Sequence, residues 1–87
     1  MSYRVVVERD AQCALRKLDA TVARRIEAAI EALADHPYPP HARALTGRPG
    51  VLRTRVGDYR ILYEVANEAL IVYVIRVAHR RESYRNL

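Results

Sequence analysis

The chain is 87 residues long, 51% hydrophobic and 29% charged, with a formal net charge of +5. That is one domain's length of chain, too apolar for intrinsic disorder, and no apolar run approaches the roughly 18 residues of a spanning helix. With no signal-peptide h-region, a single cysteine (Cys13) and no Cys/His cluster at zinc-ligand spacing, the expectation is one soluble, cytoplasmic domain over residues 1–87, without cofactor or metal.

Tyr3–Glu8 is short and β-branched and predicts an N-terminal strand. Asp10 is the expected N-cap of a first helix running to about Leu18, with Leu15 and Leu18 on one face. Asp19 is the expected cap of a second, whose stripe is Val22, Ile26, Ala29, Ile30 and Leu33. That helix stops near His36, because Pro37 disfavours helical geometry in the residue before it. Residues 36–50 contain all four prolines and two of the three glycines, and read as a connector with Ala42–Leu45 docking on the core. Three strands follow, Val51–Val56, Tyr59–Val65 and Leu70–Ala78, with turns at Gly57-Asp58 and Asn67-Glu68. The fold class is α+β in the order β-α-α-β-β-β, a mainly antiparallel sheet with a helical hairpin packed on one face.

Strand parity sorts the side chains. Leu52, Thr54 and Val56 share one face, leaving Arg53 and Arg55 on the other; Tyr59, Ile61, Tyr63 and Val65 lie opposite Arg60, Leu62 and Glu64. An unpartnered buried guanidinium is costly, so Arg53, Arg55 and Arg60 belong on the face away from the helices. For Arg76 and Arg80 the hairpin register decides. A two-residue loop pairs Arg60 with Ile75 and a three-residue loop pairs it with Arg76, and parity alone leaves both open. Tyr59, Tyr63 and Tyr73 read as core or cross-strand packing, His36 and His41 as ordinary exposed residues of the Pro-rich connector, and Cys13 as small filler.

Charge is unevenly spread. Basic and acidic residues balance over residues 1–42, whereas residues 43–87 carry nine arginines against four acids. Codon bias explains arginine in place of lysine but not why the excess of positive charge avoids the first half. Clustered guanidinium groups displace condensed counterions from phosphates, so a polyanion partner is expected.

The stretch Leu52-Arg53-Thr54-Arg55-Val56-Gly57-Asp58-Tyr59-Arg60-Ile61-Leu62-Tyr63 resembles the central hairpin of the RelE/ParE toxin superfamily. The ending Val77-Ala78-His79-Arg80-Arg81-Glu82-Ser83-Tyr84-Arg85 resembles its closing motif, and both segments look more like the RelE branch than the ParE branch. The resemblance implies a bacterial type II toxin, a ribosome-dependent endoribonuclease that cuts mRNA in the A site. It also implies a cognate antitoxin held in a hetero-oligomer, with no membrane attachment. Position by position, Arg53 and Arg55 match basic residues of the second strand, Arg60 the arginine after the hairpin tyrosine, Arg80 the basic residue after the last strand, and Tyr84 the C-terminal tyrosine. Catalytic roles accordingly fall to Arg55, Arg60, Arg80 and Tyr84, and RNA or phosphate binding to Arg53, Arg76, His79 and Arg81. The family's spacing favours the three-residue loop, with Arg60, Arg76 and Arg80 on one face.

Transfer to the 2′-OH needs a base, in-line geometry, charge stabilisation and a protonated leaving oxygen. Guanidinium groups suit the clamping tasks, but Arg55 stands where RelE toxins commonly carry lysine, and it is a poor proton acceptor. The base then falls to His79, Tyr84 or a ribosomal group, with Tyr84 ranked above His79. The chain reaches only three residues past Tyr84, so an open site without a covering helix is expected. The alternatives are a ParE-like DNA gyrase inhibitor without nuclease activity, and an inert partner that only forms a regulatory complex.

Overall fold

Alternating apolar residues and two i, i+4 stripes sort the chain into strands and helices around one sheet. The computed structural model describes residues 2–82. They form β1 (Arg4–Val7), α1 (Arg9–Arg16), α2 (Ala20–Asp35), β2 (Arg43–Ala44), β3 (Val51–Val56), β4 (Tyr59–Ala66) and β5 (Ile71–His79). The sheet order is β1-β5-β4-β3-β2, with β1 parallel to β5 and every other pair antiparallel. The expected α+β class holds. Among the described residues no helix is long and apolar enough to cross a membrane.

The caps are half as expected. Asp19 accepts the Thr21 N–H at 3.1 Å and starts α2, which ends at Asp35 with His36 as C-cap. Asp10, by contrast, is not the cap of α1. That helix begins at Arg9 behind Glu8, which makes no side-chain cap, and Asp10 lies in the first turn. There its carboxylate still meets the positive end of the helix dipole.

Both helices cover the same sheet face. Ala11, Ile26, Ile30 and Leu33 pack on Ile61, Tyr63, Val72, Val74 and Val77. Each large apolar side chain buried there contributes roughly 1.5–3 kcal/mol. Tyr63 has no exposed surface, and its hydroxyl donates to the Pro37 carbonyl at 2.8 Å. This bond ties the connector to the sheet. Burial, helped by Tyr38 nearby, pushes the Tyr63 phenol up to about 12.

On the other face lies a smaller cluster of Leu45, Val51, Leu62 and Ile75. Its presence explains an element absent from the expected order. Leu45 donates its N–H to the Val51 carbonyl at 2.8 Å, and the preceding residues become β2, with Arg43 opposite Arg53 and Ala44 opposite Leu52. The connector thus docks through Leu45 as anticipated, but as an edge strand paired with β3 rather than as loop.

Neither expected register of β4 with β5 is found. Ala66 opposes Ile71, so the connection is residues 67–70, and Leu70 takes φ 55° at its end. Continued without a break, that register would set Arg60 opposite Val77. A bulge intervenes: Tyr63 opposes Val74 but Leu62 opposes Arg76, leaving Ile75 unpaired and Arg60 opposite Ala78. One extra residue restores the parity that a longer loop had reversed.

Candidate functional site

Arg53 and Arg55 alternate with Leu52, Thr54 and Val56 along β3, and Thr54 is buried toward the helices. The two guanidinium groups therefore project from the uncovered face. The tight Gly57-Asp58 turn, with Gly57 at φ +58°, pairs Val56 with Tyr59 and so sets Arg55 directly opposite Arg60. Directly opposed positions on antiparallel strands bring Cβ atoms to about 4.5–5.5 Å, where like charges destabilise the sheet. Among the described residues, Arg43, Arg53, Arg55 and Arg60 are in no ion pair. Together with His41 and Thr54 they line a cavity of about 240 Å³. Four unneutralised guanidinium groups around one concavity form a ready anion site, since each offers a planar fork for phosphate oxygens.

The other candidate residues are placed elsewhere. Arg76 and His79 line a separate cavity of about 440 Å³ against α1, with Asp10, Cys13, Lys17, Tyr59 and Glu82. Glu82 organises it. One carboxylate oxygen accepts the His79 N–H at 2.9 Å, and the other lies 3.6 Å from Arg76 Nη2. The His79 ring meets Tyr59 edge-on at 5.2 Å, and its Nδ1 accepts the Arg81 N–H at 3.2 Å. Arg76 thus has the backbone parity of Arg60, while its side chain serves the α1 side. Arg80 stands at the end of the sheet nearest Arg55 and Arg60. Its N–H donates to the Asp58 carbonyl at 2.7 Å, and its Nε is 3.7 Å from the Asp58 carboxylate. Arg81 is exposed. Tyr84 lies outside the described residues.

Two lining residues escaped the sequence reading, Arg43 and His41. The missed signal is local. Leu45 and Val51 flank Thr46-Gly47-Arg48-Pro49-Gly50, and treating those apolar residues as the ends of a hairpin pairs Arg43 with Arg53.

Comparison with known proteins bears on this arrangement. The profile of the family described as ParE toxin of type II toxin-antitoxin system, parDE, matches residues 5–84. Among solved structures, the RelBE2 toxin–antitoxin complex of Mycobacterium tuberculosis contains a chain 30% identical, with a TM-score of 0.78 over 92% of this chain and 100% of that one. The archaeal RelE–RelB complex of Pyrococcus horikoshii OT3 gives 26% identity and a TM-score of 0.81, over 95% of this chain and 100% of that one. The isolated Escherichia coli RelE toxin gives 25% identity and 0.79, over 95% and 89%. A profile spanning nearly every element of the sheet, and RelE folds superposing along almost the full length, lead to one conclusion: the chain belongs to the RelE/ParE superfamily of type II toxin–antitoxin toxins.

Proposed function

We propose that this toxin is a ribosome-dependent endoribonuclease that cuts mRNA in the A site by attack of a ribose 2′-OH on the adjacent phosphate. The observation that carries the reading is the set of unneutralised guanidinium groups of Arg53, Arg55 and Arg60 on the sheet face free of helices, joined by Arg43. A pentavalent phosphorane carries more negative charge than the diester it comes from. Fixed cations around it therefore favour the transition state over the ground state. Arg55 and Arg60, facing each other, are the clamp on the non-bridging oxygens; Arg53 and Arg43 hold the flanking backbone. Arg80, at the neighbouring end of the sheet, and Tyr84 complete the set by resemblance. No metal enters this scheme.

The partner follows from the same charge. The Mycobacterium and Pyrococcus chains were solved with antitoxin bound. For this chain we expect an antitoxin segment whose carboxylates fill the cavity of Arg43, Arg53, Arg55 and Arg60, folding as it binds.

The ParE name of the matching profile favours a second reading, inhibition of DNA gyrase without cleavage. One experiment separates them. Purified toxin is added to ribosomes programmed with mRNA and, in parallel, to gyrase in a supercoiling assay. The nuclease reading expects new 5′ ends at A-site codons, lost in Arg60→Ala by roughly 10²–10³-fold. Inhibited supercoiling with intact mRNA overturns it.

A further inference from the structure

The basic cavity contains one side chain that anion binding does not require. Its arginines stay protonated and can neither accept nor return a proton. Its threonine hydroxyl belongs to Thr54, which is buried toward the helices. The sixth lining residue is His41, an exposed imidazole on the connector between α2 and β2.

The fold gives this imidazole a defined place. Pro39 and Pro40 restrict the backbone before it, and the Ala42 N–H donates to the Pro39 carbonyl at 2.9 Å, closing a turn around His41. Two residues on, Arg43 is locked opposite Arg53 in the sheet. His41 is thus carried to the rim of the arginine cavity by a stiff turn at one end and a strand pairing at the other. Its ring makes no hydrogen bond or ion pair among the described residues, so both nitrogens are available. His79 differs on each count. Its Nδ1 is already an acceptor for Arg81, and its ring packs on Tyr59 in the cavity against α1.

We infer that His41 is the general base of the RNA cleavage, an assignment that rests on the nuclease reading above. A neutral imidazole nitrogen takes the 2′-OH proton as the 2′-oxygen bonds to phosphorus and the bond from phosphorus to the 5′-oxygen breaks. The leaving 5′-oxygen takes a proton from water, and the imidazolium returns its own to the hydroxide so formed. The products are a 2′,3′-cyclic phosphate and a 5′-hydroxyl. Imidazole is suited to this because it alone among unperturbed side chains gains and loses a proton near neutrality. The division of labour is then spatially simple: arginines of β2, β3 and β4 hold the phosphate, and the connector supplies the base.

The test is single-turnover cleavage of ribosome-bound mRNA by the whole toxin, with RNA binding measured alongside. His41→Ala and His41→Gln are compared with Arg60→Ala and with His36→Ala, which changes an exposed histidine of the same connector outside the arginine cavity. The expected result is a cleavage step slowed by roughly 10²–10⁴-fold in both His41 variants, with binding unchanged. Added imidazole should restore part of the rate to His41→Ala and none to Arg60→Ala, while His36→Ala cleaves as the parent does. His41→Ala cutting within about threefold of the parent overturns the assignment, as does a loss that follows weakened binding and ignores imidazole. Failure of the nuclease reading is seen separately, in a parent toxin that makes no cut.

Discussion

Arg55 and Arg60 oppose each other across β3 and β4, one step from the Gly57-Asp58 turn, with no carboxylate paired to either among the described residues. A sheet that needed only to be stable would place a threonine or an opposite charge at one of these positions. The arrangement stores repulsion that a bound anion relieves. Arg55→Thr is therefore expected to leave thermal stability unchanged or raise it by up to about 1 kcal/mol, while cleavage falls by roughly 10²–10³-fold. Thermal unfolding and ribosome-bound cleavage of the same preparation check the two halves. A variant that loses stability and keeps activity contradicts both.

Arg43 offers a cleaner measure of phosphate contact, because it is exposed on the edge strand β2. Each phosphate neutralised on a single strand contributes about 0.7 to the slope of log affinity against log salt. Arg43→Ala should weaken binding of single-stranded RNA and reduce the slope by about that amount. An unchanged slope would remove Arg43 from the interface.

Tyr63 predicts an alkaline limit to stability. Its phenol is raised from 10.0 to about 12 in the folded chain, chiefly by burial. Below pH 10 both states are protonated and the shift has no effect. As pH rises from 10 to 12 the unfolded chain ionises first, so stability falls, and the loss is complete above the folded value. Two units correspond to a loss on the order of 2–3 kcal/mol. Tyr63→Phe should abolish this alkaline dependence. It should also cost about 1–3 kcal/mol near neutrality, because the Pro37 carbonyl loses its donor at 2.8 Å. Denaturant unfolding of both proteins across the alkaline range checks the sign and the size.

Leu70 adopts φ 55° at the end of the β4–β5 connection and is partly exposed. A left-handed conformation costs a branched residue roughly 1–2 kcal/mol, and glycine gives back part of that gain through unfolded-state entropy. Leu70→Gly should stabilise the protein by about 0.5 kcal/mol, raising the melting temperature by about 2–4 °C. A fall would mean that the Leu70 side chain contributes packing worth more than its strain.

Apart from the short edge strand β2, the order of elements and the covered face of the sheet were legible from the residues because they depend on local periodicity. Val22, Ile26, Ile30 and Leu33 recur at helical spacing, and Arg53 and Arg55 alternate with Leu52 and Thr54. Any packing that buries the apolar stripe leaves those arginines outside. Asp19 was equally readable, since a cap bonds within its own turn.

What only the tertiary structure decided is where the remaining charges meet. The position of Arg76 depends on a four-residue connection and on the extra residue Ile75, two departures that cancel in parity and have no mark in local composition. Arg43 and His41 reach the cavity because Leu45 buries itself against Val51 and Leu62, drawing the connector into the sheet. Arg76 and His79 leave it because Glu82 and α1 provide partners on the other side. Periodicity determines which way a side chain points from its own element. Which other elements it meets is determined by long-range burial and charge pairing, and those exist only once the chain has closed.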